Sequence, residues 1–310
     1  MTARFLQLLL LVQALAVGLL AFAALRYFGV QSAWLALLLA FATLLLVRLL
    51  ITANNFVLSW RFASTTPPQF QLGPMARLRL FGEEFMATLL HSSWFMAKAR
   101  PTLHIYQGST LPPVLLLHGY GCNSGYWAHL LPLLRAARIS HATLDLEPTL
   151  ADIDHYVPAV ARGVDALRRA SDAGQVTLVA HSMGGLVARA YLRDHGIKEV
   201  SRVITLGTPH HGTSLANFGI GRNAVQMRRA RDAVQPPESA WLHALAAGEN
   251  AAVRERITSI YTHHDNIVAP QTSSLLPGAH NIEFGGVGHV ALGRNPRILA
   301  CLMAELVCAY

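Results

Sequence analysis

From about residue 100 onward, short apolar runs rich in β-branched residues alternate with helical stretches. This alternation constrains the fold more than any other feature of the chain. Pro113–Leu117, Ala142–Leu146, Val176–Ala180, Val203–Leu206, Ile257–Tyr261 and Asn281–Phe284 read as buried strands. Between or after them the spacing of apolar residues predicts helices over Gly125–Ala137, His155–Ala173, Met183–His195 and Pro296–Ala309. Strands alternating with helices build βαβ units, and so a mainly parallel sheet with helices on both faces. Sheets of this kind carry their chemistry in loops beyond the carboxyl ends of the strands. No internal repeat or low-complexity tract interrupts the pattern.

One such loop holds the strongest motif, Ala180-His181-Ser182-Met183-Gly184-Gly185. It follows the run Val176–Ala180 and opens the helix at Met183, which is the strand–turn–helix context of a nucleophile elbow. A sharp turn needs small neighbours, hence Ala180, Gly184 and Gly185. Ala180 stands where Gly is usual and tightens the turn. The turn exposes the Ser182 hydroxyl at the positive end of a helix. The competing reading is a serine that merely caps the helix.

A serine hydroxyl needs a base. The chain has 15 histidines, so position must choose among them. In an elbow-bearing sheet the partners follow in the order serine, acid, histidine. His289 lies in the glycine-rich loop Gly285-Gly286-Val287-Gly288-His289, after the last strand and before the last helix. His280 precedes that strand and falls at the opposite edge of the sheet. Of the acids between Ser182 and His289 (Asp194, Glu199, Asp232, Glu238, Glu249, Glu255, Asp265 and Glu283), Asp265 directly follows a strand end and is the expected partner. An Asp there also suits a turn in which its side chain binds the local backbone. An oxyanion would require two backbone N–H groups. Met183, next to the nucleophile, supplies one. Tyr120, in His118-Gly119-Tyr120-Gly121 after the first clear strand, supplies the other. Cys122 lacks elbow context and reads as a packing residue.

These pieces together resemble a family. Leu117-His118-Gly119-Tyr120-Gly121, Ala180-His181-Ser182-Met183-Gly184-Gly185-Leu186 and Leu206-Gly207-Thr208-Pro209-His210-His211-Gly212-Thr213 look like bacterial lipases and esterases of the α/β-hydrolase superfamily. Asp265-Asn266-Ile267-Val268 and Gly288-His289 fit the same pattern. The resemblance covers about residues 110–310. It implies an α/β-hydrolase fold and ester hydrolysis through an acyl-enzyme. Carried over residue by residue, it implies a triad of Ser182, Asp265 and His289, with Tyr120 and Met183 at the oxyanion hole. It implies no cofactor. Some relatives bind structural calcium, and no compact acidic cluster specifies such a metal site here. Acyl transfer to an acceptor other than water, or a non-catalytic lipid-binding role on the same fold, are the alternatives.

The resemblance says nothing of the first 100 residues. Phe5–Leu25 is 21 residues without a charge, long enough at about 1.5 Å per residue to cross about 30 Å of hydrocarbon. Ser32–Ile51 is a second apolar run, broken only by Arg48, from where the side chain can snorkel. The short connection between them predicts an antiparallel membrane hairpin within residues 1–62. A cleaved signal peptide, with Ala21-Phe22-Ala23 as its site, followed by a single anchor is the alternative, but the apolar core exceeds the usual 7–15 residues. A transporter role is disfavoured, because the two helices carry no intramembrane acid. Residues 63–100 read as a Pro/Ser/Thr-rich linker and an amphipathic helix over Pro74–Met96, with Leu78, Phe81, Phe85, Leu89 and Met96 near one face. That helix either packs on the domain or lies on the bilayer. Residues 101–310 form the catalytic domain, with a cap or lid insertion at about 214–256. Arg222, Arg228, Arg229 and Arg231 crowd that insertion, either as a solvated face or facing anionic head groups.

Net charge decides the partner class. The chain is formally +8, which on its own allows nucleic acid. Residues 1–82 hold Arg4, Arg26, Arg48, Arg61, Arg77 and Arg79 and no acid, so most of the excess flanks the apolar runs rather than the folded domain. Acyl-ester or lipid substrate and membrane lipids are the expected partners, and nucleic acid is not. Positive-inside counting favours a multi-pass protein of the bacterial inner (cytoplasmic) membrane with its catalytic domain in the cytoplasm. Cys122, Cys301 and Cys308 do not make a disulfide framework, since Cys301 and Cys308 are about 10 Å apart in rise along a helix.

Overall fold

A computed structural model describes residues 2–230 and 237–307. Its centre is a seven-stranded sheet of β1 (Leu103–His104), β2 (Val114–Leu117), β3 (His141–Leu144), β4 (Val176–His181), β5 (Val200–Leu206), β6 (Ile257–Thr262) and β7 (His280–Phe284), in the order β1-β3-β2-β4-β5-β6-β7. Neighbours are parallel except β1, which runs antiparallel to β3 and pairs Leu103 with Ala142. All six expected strands are present, with ends shifted by up to three residues. β1 was not foreseen, because two residues are too few to show any alternation.

The sheet buries both faces, so its strands are apolar on both sides. Leu115, Leu117, Leu178 and Ala180 point into one core, while Val114, Leu116 and Val179 point into the other. Each fully buried Leu or Val contributes about 1.5–3 kcal/mol.

The chain begins with α1 (Thr2–Tyr27) and α2 (Ala33–Arg61). Ala21, Ala36 and Ala40 pack together at their contact, where small side chains let the backbones approach. Both helices are long and apolar enough to cross a membrane, by length and composition. α2 runs ten residues past the apolar stretch ending at Ile51. Nothing there breaks a helix, the Thr52 hydroxyl donates back to the Arg48 carbonyl, and Phe56 packs on Phe81 with ring centroids 5.8 Å apart.

Helix α3 (Pro74–Leu90) starts with a proline in its first turn and continues as a π turn (His91–Phe95) and a 3₁₀ turn (Met96–Lys98). Its buried line differs from the expected one. Leu78 is 64% exposed, and Phe81, Phe85 and Leu89 are only half-buried. The residues that pack fully are Leu80, Glu84, Ala87, His91 and Met96. The physical reason is that α3 is wedged between two bodies. One face meets the loop around His289, and Phe81 and Phe85 turn to the N-terminal helices.

The expected helix Gly125–Ala137 is a 3₁₀ turn (Ser124–His129) followed by α4 (Leu131–Ala136). Pro132, without an N–H, belongs to a first turn and cannot continue a helix from upstream. α5 (Val157–Ser171) and α6 (Met183–His195) cover one sheet face. The region after β5 holds α7 (Arg222–Gln226), α8 (Ala240–Ala247) and α9 (Ala251–Arg254), and α10 (Pro296–Val307) closes the other face.

Candidate active site

Ser182 sits between β4 and α6 at φ 53°, ψ −125°. A non-glycine residue at positive φ is strained, and such strain gathers at functional turns. The backbone is held there by the Ser182 N–H donating to the Leu206 carbonyl at 2.9 Å. The side chain makes no capping hydrogen bond to α6, so helix capping does not account for this serine. Its residue is 7% exposed, at the end of a cavity.

Asp265 and His289 come together as the chain order predicts. Nδ1 of His289 donates to Oδ2 of Asp265 at 2.7 Å. The other carboxylate oxygen, Oδ1, accepts from the Ile267 and Val268 N–H groups at 2.8 and 2.7 Å. One carboxylate oxygen thus binds the local turn and the other the histidine. The backbone of His289 is fixed by Asn266 Oδ1 at 2.9 Å. Burial opposes protonation of His289, but the charge of Asp265, its hydrogen bond and the charge of Glu84 outweigh it, and the ring's pKa is raised.

Two glycines allow close packing here, one against the pair and one against Ser182. Gly207, directly after Leu206, lies so near that a Cβ on it would be 3.1 Å from Asp265 Oδ2 and 3.3 Å from His289 Nδ1. Gly119 lies on the other side, where a Cβ would be 2.9 Å from that of Ser182. The other candidate acids serve elsewhere: Glu249 is bidentate on Arg189, and Glu283 faces His263 at 2.8 Å. Asp232 lies outside the described residues.

The loop carrying Tyr120 is pinned by His118. Nε2 of His118 accepts from the Leu146 N–H at 2.8 Å, which leaves Nδ1 to donate to the Gly119 carbonyl at 2.9 Å. Burial lowers the pKa of this ring and keeps it neutral. Met183 opens α6, so its N–H is among those without an intrahelical acceptor. His181 stacks on Tyr126 with centroids 3.9 Å apart, and its Nε2 donates to the His289 carbonyl at 3.3 Å. Burial pushes the Cys122 thiol up to about 12, where it is no nucleophile.

Two contributions were not read from the sequence. Glu84, 1% exposed, accepts from the N–H groups of Val290 at 3.0 Å and Ala291 at 2.9 Å, the two residues after His289. Its only sequence signal is an acid amid the apolar positions of α3. Asn55 and Leu58 of α2 line the same cavity as Ser182, a placement that only tertiary structure can create. In the insertion, Arg222 lies 3.6 Å from Asp152 and Arg229 lies 3.8 Å from Glu238. Those two arginines are therefore paired on the protein, and Arg231 lies outside the described residues.

Residues 112–240 match the family described as alpha/beta hydrolase fold. Lipase BlEst2 of Bacillus licheniformis in its mature form superposes with a TM-score of 0.58 at 18% identity, covering 67% of this chain and 98% of that one. Lipase B of Aspergillus fumigatus gives 0.52 at 21% identity, covering 66% of this chain and 56% of that one. These likenesses establish the fold: the chain has the α/β-hydrolase fold, with a mostly parallel sheet and two apolar N-terminal helices outside its core.

Proposed function

We propose that this α/β hydrolase is a membrane-anchored serine ester hydrolase of lipase or esterase type. One observation carries the reading: His289, bonded to Asp265 at 2.7 Å, packs with ring centroids 4.6 Å apart on His181, the residue directly before the elbow serine at φ 53°. The proposed triad is Ser182, His289 and Asp265.

Ser182 Oγ attacks the acyl carbonyl while Nε2 of His289 takes its proton. Asp265 holds Nδ1–H, which fixes the tautomer and stabilises the imidazolium that forms. Backbone N–H groups of Tyr120 and Met183 receive the oxyanion. The imidazolium gives its proton to the leaving alcohol, leaving an acyl-enzyme on Ser182. Water, deprotonated by His289, then releases the acid and restores the serine.

The anchor is α1 with α2, two membrane spans in a hairpin. Its support is the bare apolar surface of both helices, from Leu8 to Leu25 and from Trp34 to Ile51. The start of α1 and the end of α2 both return to the folded domain: Thr2 N donates to Glu147, and Ser64 N, just past α2, donates to Gln271. Both ends then face the domain's side of the membrane, and the arginine distribution favours the cytoplasm for that side. The insertion around α7 to α9 is read as a cap over the site.

Hydrolysis of 4-nitrophenyl esters by the purified protein, beside Ser182→Ala, tests the reading. Loss of turnover by a factor of about 10³ or more supports it, on the scale of nucleophile removal. Unchanged turnover refutes it.

A further inference from the structure

The cavity that ends at Ser182 has a wall made by the N-terminal hairpin. Asn55 and Leu58, near the end of α2, line a space of about 270 Å³ together with Leu215, Phe218 and Val268. No charged side chain lines it among the described residues. Ile51, the last residue of the long apolar stretch of α2, is exposed, as are Leu46 and Leu50 below it. From Ile51 to Leu58 the helix rises about 10 Å. Ile51 and Leu58 are seven residues apart and so lie on one face of α2, with Asn54 and Asn55 between them as the polar step from the apolar stretch to the cavity. On the facing rim, Phe218 and Ile220 are exposed, and the Tyr120 hydroxyl donates to the Ile220 carbonyl at 2.7 Å. That bond ties the rim to the loop proposed to receive the oxyanion.

We propose that α2 is both anchor and substrate guide: a single acyl chain of a bilayer ester lipid enters sideways along α2, and Leu58 selects for it. This rests on the ester-hydrolase reading, and it names where the substrate comes from. A hydrocarbon chain suits an uncharged, largely apolar cavity, since any buried charge there would lack a partner. The passage from Ile51 to the cavity is only about two helical turns, so the chain crosses little water on the way and keeps most of its hydrophobic free energy.

The test uses the full chain in phosphatidylcholine vesicles. With Ser182→Ala, which needs no turnover, a phosphatidylcholine bearing a diazirine midway along one acyl chain should label peptides containing Leu58 and Leu215. Leu58→Trp should lower that labelling about fivefold, while Val57→Trp, on the exposed side of α2, should not. In the active protein, Leu58→Trp should reduce the ratio of vesicle-borne long-chain ester hydrolysis to soluble acetate ester hydrolysis about tenfold. Labelling confined to residues 8–25 and 34–51 would overturn the proposal, as would an unchanged ratio or equal effects of Leu58→Trp and Val57→Trp. A protein that labels at Leu58 yet hydrolyses no ester would sink the hydrolase reading instead, so the two fail separately.

Discussion

Glu84 and Val290 are 206 residues apart in the chain, yet the Glu84 carboxylate accepts the Val290 N–H at 3.0 Å. Val290 follows His289, and the bond to Ala291 repeats the grip one residue on. α3, which carries Glu84, also packs on α2 through Phe81 and Phe56. The proposed catalytic histidine is thus held by a helix that itself rests on the proposed anchor.

Glu84→Gln should therefore change catalysis and not only stability. Burial raises the Glu84 pKa, and the two N–H bonds and the charge of His289 oppose that rise. A Gln keeps an acceptor for one N–H but loses the ionised form that helps raise the His289 pKa. The acid limb of kcat/KM reports the free-enzyme histidine, which must be neutral to act. In the parent protein that limb should lie above about 6.5, the ordinary imidazole value, and in the variant it should move to lower pH. Glu84→Ala should cost about 1–3 kcal/mol in chemical denaturation, because two buried N–H groups lose their acceptor. A pH profile identical in parent and Gln variant would show that Glu84 has no electrostatic hold on the ring.

Asp265→Asn separates the two jobs of that side chain. Its Oδ1 bonds to Ile267 and Val268 can survive, so the turn should persist. The amide would present N–H₂ to Nδ1 of His289 and favour the wrong tautomer. Turnover should fall about 10³–10⁴-fold, with a near-parental melting temperature. Loss of less than about tenfold would remove Asp265 from the triad.

His118 should act on the proposed oxyanion loop without touching the proposed proton relay. His118→Phe removes the acceptor of the Leu146 N–H and the donor to Gly119. Activity should drop about 10–100-fold, smaller than the loss of an oxyanion donor outright. The acid limb of the pH profile should stay where it was, since His118 is held neutral by burial. A shifted limb would place His118 in the proton chemistry.

Arg189 and Glu249 form a buried bidentate pair at 2.6 and 2.8 Å, joining α6 to the segment between α8 and α9. Glu249→Ala leaves a buried guanidinium unpaired and should cost about 3–5 kcal/mol, read as a fall in denaturation midpoint. A change under about 0.5 kcal/mol would show that water reaches the guanidinium.

The parts of the site that lie on strand ends were legible in the sequence. Ser182, Asp265 and His289 each follow a strand or its glycine-rich loop, and local motif plus chain order identifies them. Residues whose role depends on packing between distant segments were not legible. Glu84 looks like a stray acid in an amphipathic helix until α3 is seen wedged against the His289 loop. Leu78 looks like a core residue because periodicity marks an apolar stripe but not which body covers it. α2 outruns its apolar stretch because hydropathy reports where apolar side chains end, not where helix ends. Asn55 and Leu58 meet Ser182 only through the fold.

The central claim is that Ser182 is the activated nucleophile. Intact-protein and peptide mass spectrometry after treatment with a fluorophosphonate tests it most directly. One adduct is predicted on the peptide holding Ser182, absent in Ser182→Ala and slowed in Asp265→Asn. An adduct on another residue, or none on a folded protein that still hydrolyses ester, would contradict it.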